Sequence, residues 1–284
     1  MDRKRSQHRP GRWPEKWPAP RTRRRDIALL GGLIIAAAGS LVAGVMGFRD
    51  GQPHVLGFGV LVAALFSVGA VYHFYHAVHP QRRRGDVVLT TNRDGEPVTR
   101  ILRSPILFHL RTALMIGLTV LFTASAVDHY LSEGTAGVLG ALIYLVIAVF
   151  FGSYVLAVAT KGLMPGFIEF SPQGIFNRGW SFESRMPWRH VLTVQAEHDK
   201  KHPQVLVIGD PEREWKYDYT VRLWRIDRLT VVPMIDVDTR KFRVPPDVLY
   251  AVFSYYFDSP PARVELGTQV SLDRIDQWWP RPAA

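Results

Sequence analysis

The second apolar stretch of the chain ends in His73-Phe74-Tyr75-His76-Ala77-Val78-His79. Three histidines at three-residue steps lie along one flank of a helix, and imidazole ligates zinc and copper well. His73, His76 and His79 are therefore the candidate metal ligands of this sequence. No acidic or cysteine ligand stands beside them, and His and Tyr at the end of an apolar stretch are more simply an interfacial belt at a membrane edge. No metal or other cofactor is assigned. Asp128-His129-Tyr130 and Glu133 place an imidazole next to carboxylates, a pairing that can move protons. No nucleophile or oxyanion site accompanies them, and an ordinary solvated loop is expected there. His109 and Asp86 join the three histidines as the groups a membrane enzyme could gather at the inner membrane face. The sequence has neither a Gly-rich phosphate loop nor a His-Glu-x-x-His word. It contains no cysteine, which excludes disulfides, thiolate metal sites and cysteine nucleophiles. The expectation is a protein without catalytic residues.

The other chemistry in the sequence is basic. The formal net charge is +10, and almost all of the excess lies in the N-terminal tail and in the segment after His79. From Lys161 onward acids and bases nearly cancel. A nucleic-acid-binding domain usually carries its charge on a folded surface with interleaved aromatics. Here the charge borders apolar stretches, so anionic lipid headgroups are the expected counter-ions and nucleic acid is not an expected partner. Arg23, Arg24, Arg25, Arg82, Arg83 and Arg84 are the candidate headgroup contacts.

What must position these groups is a set of four long apolar stretches, residues 27–48, 55–78, 107–127 and 136–159. A membrane-spanning helix needs ~20 apolar residues to cross ~30 Å of hydrocarbon. The third reaches that length only if Arg111 snorkels to the membrane edge. The loop 49–54 has one base and one acid, and 128–133 has no Lys or Arg, whereas the other flanks are Arg-rich. Lys and Arg stay preferentially on the cytoplasmic side. Both termini are therefore expected in the cytoplasm of a multi-pass inner-membrane protein, with two short hairpin loops outside. A signal peptide is the competing reading of the first stretch: Ala36-Ala37-Ala38 resembles a cleavage site and Arg24-Arg25 a twin-arginine signal. Ionisable groups are nearly missing at mid-depth, where pumps and proton-coupled carriers need them.

Gly32, Ala36, Ser40 and Gly44 recur every four residues in the first span, and Gly59, Ala63 and Ser67 in the second. Such stripes let helix backbones approach closely. They serve a compact bundle or a homodimer seam, and homo-oligomerisation stays open. Residues 1–26 read as a basic, disordered cytosolic tail, in which Trp13 and Trp17 are either an interfacial anchor or solvated. Residues 86–103 read as a cytosolic β-hairpin turned at Asp94-Gly95. A lone hairpin is marginal in water, so it is expected to pack on the C-terminal domain or on the membrane surface.

Residues 161–275 read as a run of short strands closed by a helix, followed by a tail at 276–284. Expected strands include Phe167–Ser171, Ile175–Arg178, Leu192–Ala196, Val205–Ile208, Thr220–Trp224 and Leu229–Val237. Pro245-Pro246 opens a helix whose apolar face is Val248, Leu249, Val252, Phe253 and Tyr256. Pro260-Pro261 ends it, and a short helix at Ala262–Leu266 follows.

This segment resembles the bacterial membrane-attached pleckstrin-homology-like (PH-like) proteins. The words that carry the resemblance are Phe170-Ser171-Pro172-Gln173-Gly174-Ile175, Pro187-Trp188-Arg189-His190-Val191, Val244-Pro245-Pro246-Asp247-Val248-Leu249, Tyr255-Tyr256 and Arg263-Val264-Glu265-Leu266-Gly267. The resemblance implies a seven-stranded β-sandwich plugged by a C-terminal helix, in a family whose members are often integral membrane proteins. Glu183 sits between Arg178 and Arg185, so phosphoinositide binding is not carried over. The expected fold class is an α+β membrane protein: a four-helix transmembrane bundle plus a PH-like antiparallel β-sandwich or barrel capped by a helix. The expected function is a non-enzymatic membrane-anchored scaffold or regulatory adaptor, with membrane lipids and a protein as partners. The alternative is a small transporter or channel subunit gated by the soluble domain.

Overall fold

The computed structural model describes residues 13–18, 24–78, 83–199, 202–213, 215–227, 229–230 and 232–279. The chain divides into two compact units: a helical one, Arg21–Pro80 with Pro105–Met164, and a β-rich one, Met1–Pro20 with Gln81–Ser104 and Pro165–Ala284.

The helical unit is built from α1 (Arg24–Arg49), α2 (Pro53–His73), α3 (Pro105–Glu133) and α4 (Val138–Ala159). A π-helical turn, Phe74–Val78, continues α2. Three stretches are long and apolar enough to cross a membrane: Arg24–Arg49, Pro53–Val78 and Pro105–Ala159. The third is a helical run of 55 residues. It holds both the third and fourth apolar stretches of the sequence, joined by a 3-10 turn at Gly134–Gly137. These helices are apolar all round: Ile35 is 73% exposed, Leu131 75% and Val146 68%. Apolar side chains with no protein neighbour need a hydrocarbon solvent.

Helix α1 packs on α2, α2 on α3, and α3 on α4. A Cβ placed on Gly59 would lie 2.7 Å from both Gly44 Cα and Ser40 O. The two helix backbones therefore touch where the sequence carries its small residues. The seam follows the four-residue stripe at Ser40 and Gly44 and leaves it toward the N-terminus of α1. Ala37 and Gly44 are buried in it, whereas Gly32 is exposed. Four residues advance a helix by more than one turn, so a strict four-residue stripe drifts off a straight contact line. Several Ser and Thr hydroxyls of these helices turn back on their own backbones. Ser40 donates to Ala36 O at 2.8 Å, Ser67 to Ala63 O at 2.8 Å and Thr119 to Met115 O at 2.8 Å.

The β-rich unit contains the hairpin β1 (Val87–Thr91) and β2 (Pro97–Leu102). After Pro165 come β3 (Phe167–Phe170), β4 (Gly174–Arg178), β5 (Phe182–Pro187), β6 (Val191–Asp199), β7 (His202–Gly209), β8 (Lys216–Tyr219) and β9 (Met234–Asp238). They form a six-stranded antiparallel sheet in the order β1-β2-β3-β4-β5-β8 and a three-stranded one in the order β6-β7-β9. The hairpin thus docks edge to edge on the C-terminal segment, with Thr99 opposite Phe170 and Ile101 opposite Ile168.

Helix α5 (Pro246–Asp258) closes the core. Its Val248, Leu249, Val252, Phe253 and Tyr256 are fully buried against Ile168, Phe170, Val205 and Val237 of both sheets. Asp86 at the foot of the hairpin accepts two hydrogen bonds from Arg243, at 2.5 and 2.6 Å, which ties the hairpin to the approach of α5.

Several expectations need correction. Trp17 is neither a membrane anchor nor solvated. It is 4% exposed and belongs to the core of the β-rich unit, with Trp13 packed beside it. A tryptophan carries so much apolar area that an available protein groove outcompetes water even within a basic run. Residues 220–224 form no strand; the edge strand is Lys216–Tyr219 instead. Its alternating Lys216 and Asp218 are the charged decoration that keeps an edge from pairing further. The expected strand at Leu229–Val237 is confined to Met234–Asp238. The short helix expected at Ala262–Leu266 is instead part of a 3-10 turn, Pro260–Glu265, with Leu266 just beyond it. A helix the sequence reading left out, α6 (Gln269–Trp278), follows. Its buried positions are Ser271 and Ile275, and Ser271 Oγ is 2.7 Å from Thr99 Oγ1. A polar buried position masks the apolar period. Asp128, His129, Tyr130 and Glu133 are not in a loop, because α3 continues through Glu133.

Candidate interaction site

Strand register lines up Arg100, Glu169, Phe176 and Arg185 across β2, β3, β4 and β5. Paired residues point to the same face, and this is the face opposite the core residues Ile168, Phe170 and Ile175. Arg100 donates to Glu169 at 2.9 Å from Nε and 2.5 Å from Nη2. Its guanidinium lies 4.3 Å from the centre of the Phe167 ring. Arg185 lies 5.1 Å from the centre of the Phe176 ring. The outer face is therefore a platform of rings topped by guanidinium groups, an arrangement that stabilises cations at a partly wet surface.

Beside this platform is an open hollow of about 570 Å³. The hairpin tip, the β3–β4 turn, the end of β5 and Arg263 form its walls. Each wall is held by its own bonds. In the tip, Asn92 Oδ1 accepts the Asp94 and Glu96 N–H groups, both at 2.9 Å, and Gly95 takes φ +82°. Arg93 grips Glu183 at 2.7 and 3.1 Å, and Asp94 lies 3.4 Å from Arg185. In the β3–β4 turn, Ser171 and Gly174 exchange backbone hydrogen bonds at 3.0 and 3.3 Å. A Cβ on Gly174 would come within 2.6 Å of Met186 O, so only glycine fits there. Trp188 latches the turn by donating from Nε1 to Ser171 O at 2.8 Å. Arg263 crosses the Trp188 ring at 4.8 Å and caps α5 by donating to Tyr256 O and Phe257 O at 2.7 and 3.0 Å. The Pro187-Trp188 and Arg263 words of the sequence are thus a latch and a cap.

The hollow presents both signs of charge, Asp94 and Glu96 against Arg185, Arg189 and Arg263. Its one lining hydroxyl, Ser171 Oγ, is engaged with the Gly174 backbone at 3.2 Å. An open hollow with convergent polar groups is suited to holding a ligand.

A second cluster sits inside the unit. Asp227 is buried and accepts from Trp180 N at 2.5 Å, from Arg103 at 3.5 Å and from Lys241. Arg103 also donates to Asn177 at 3.0 Å. Burial works to raise the Asp227 pKa, yet Arg103, Lys241 and the Trp180 N–H together hold it below the usual carboxylate value. Burial pushes Arg103 down, opposed by Asp227, Asp238 and Asp236. In the sequence Asp227 stands among arginines in Arg225-Ile226-Asp227-Arg228 and reads as part of a solvated charge run. Only the long-range partners Arg103 and Lys241 mark it.

Among the described residues the candidate chemistry of the sequence does not converge. His73 Nε2 lies 2.9 Å from Asp26 O, and His76 stacks on Tyr72 at 5.6 Å. His79 lies outside the described residues, as do Arg23 and Arg82. Among the described residues no group of three His, Cys, Asp or Glu side chains could hold a metal ion. His109 meets the Phe108 ring edge at 5.8 Å in the helical unit, while Asp86 is bound to Arg243 in the other. His129 Nδ1 lies 3.5 Å from Glu133 one helical turn on. Arg24 and Arg25 open α1, with Arg25 Nε 3.8 Å from Asp26. Arg83 donates its backbone N–H to Arg243 O at 2.9 Å. Arg84 pairs with Asp276 at 3.0 Å while remaining half exposed.

Comparison with protein-family models, with curated proteins and with solved structures finds no match for this chain.

Proposed function

We propose that this chain is a membrane-anchored adaptor, a non-enzymatic protein whose PH-like β-rich unit presents the hollow to a protein partner. The observation that carries the proposal is the split of the chain into two units of opposite surface chemistry. One exposes large apolar side chains along its helices. The other surrounds an open, charged hollow with walls held by ion pairs and backbone bonds. Seven strands after Pro165 in two sheets, closed by α5, support the PH-like reading.

The anchor has four spans in this reading. A single crossing by 55 residues of helix would measure ~80 Å at ~1.5 Å per residue, against ~30 Å of hydrocarbon. Helices α3 and α4 instead pack on each other around Gly134–Gly137. The anchor lies in the inner membrane with both termini cytoplasmic, and arginines such as Arg24, Arg25, Arg83 and Arg84 face anionic headgroups. Anchoring acts by concentration: a domain confined to a surface meets membrane-bound partners as if they were far more abundant.

Photo-crosslinking tests the proposal. A photoreactive residue replacing the exposed Gln173 should give a discrete protein adduct in native membranes, and one replacing the exposed Leu223 should not. Adducts to lipid alone, or the same adducts from both positions, would overturn the proposal.

A further inference from the structure

The segment Trp13–Pro18 is a single tight turn, closed by Trp17 N donating to Pro14 O at 3.0 Å. It sits where β6, β7 and α5 meet. Trp17 enters with its ring edge-on to Tyr250 of α5 at 5.7 Å. Its Nε1 donates to Gln204 O of β7 at 3.3 Å. Trp13 stands edge-on to Trp17 at 5.1 Å, and Lys16 reaches Glu197 of β6 at 2.6 Å. Two aromatic anchors in a pocket with a charge-matched rim contact are the anatomy of a peptide-recognition site.

The hold is that of a ligand rather than of a structural strand. Among the described residues the segment adds no strand to either sheet. Among the described residues its polar contacts to the groove include one hydrogen bond and one ion pair, with Lys16 65% exposed. The Trp13 Nε1 is enclosed without an acceptor among the described residues.

We propose that this groove recognises a short segment with tryptophans four residues apart and a lysine just before the second, and that its resident ligand is the chain's own Trp13–Pro18, bound in cis as a releasable plug. A free segment of the same chemistry competes for the seat. The groove shares no residue with the hollow, and its test needs no partner, so the two proposals stand or fall separately.

The experiment uses the full chain in detergent and a fluorescent peptide of residues 11–20. Trp17→Ala empties the seat, and this variant should bind the peptide saturably. The unaltered chain should bind at least ~tenfold more weakly, because a short tether supplies its own segment at an effective concentration on the order of millimolar. A peptide carrying W13A and W17A should not bind. Glu197→Lys in the W17A chain should weaken binding, and a K16E peptide should restore it. If W17A does not fold, the K16E chain is the host, since Lys16 is exposed, and it should take up the labelled peptide more readily than the unaltered chain. Equal binding by host and unaltered chain, or no saturable binding to a folded host, would overturn the proposal.

Discussion

At the residue scale the strongest constraint is Asp227. It is one buried carboxylate serving two cations and a backbone N–H. Removing its charge leaves Arg103 buried without its counter-ion, a change that costs about 3–5 kcal/mol in comparable buried pairs. Asp227→Asn should therefore lower the denaturation midpoint of the β-rich unit, read from tryptophan fluorescence; an unchanged midpoint would refute the assignment. The pH dependence follows from the depressed folded pKa. A carboxylate bound more tightly as the anion contributes in full above its unfolded value, near ~4, and loses that contribution as the pH falls through the lower folded value. Acid should therefore destabilise the unaltered protein more steeply than Asp227→Asn. Nothing local in the chain announces this cluster. Its members lie 124 and 14 positions from Asp227, and separation of that kind leaves no local pattern. The histidines show the converse: a regular spacing that the fold spends on a backbone carbonyl and a ring stack.

At the scale of elements, close helix contact depends on glycine at one position and not at its neighbour. A side chain at Gly59 meets the backbone of α1, whereas Gly57 has nothing within 4 Å. Gly59→Leu should cost about 1–3 kcal/mol through overpacking, while Gly57→Leu should be nearly neutral. Thermal unfolding in detergent should separate the two variants; equal behaviour would place the seam elsewhere. Elements with a one-sided apolar period were legible. The five residues that the spacing marks on α5 are all buried, and the hairpin follows its Asp94-Gly95 turn. Elements whose pattern is set by distant neighbours were not. The β-prone Thr220–Trp224 is overridden by the path that brings Asp227 beneath Trp180, and α6 is hidden by its buried Ser271. The hollow was visible only as separate words, Ser171–Gly174, Trp188 and Arg263. Nothing local says that Trp188 would bond Ser171 O or that Arg263 would cap α5.

At the scale of the whole molecule, the proposed adaptor role gives the apolar helices and the charged β-rich unit different duties, one toward lipid and the other toward a partner. The chain has no cysteine, so a single introduced thiol reports one position without background. Gln52, Thr135 and Gln173 are exposed, and they lie in the α1–α2 connection, the α3–α4 junction and the hollow. The deciding measurement is labelling of Gln52→Cys, Thr135→Cys and Gln173→Cys in sealed cells by a membrane-impermeant maleimide. A four-span anchor with the hollow in the cytoplasm predicts that the first two label in intact cells and the third only after permeabilisation. Labelling of Gln173→Cys in intact cells, or protection of Thr135→Cys until the membrane is opened, would contradict it.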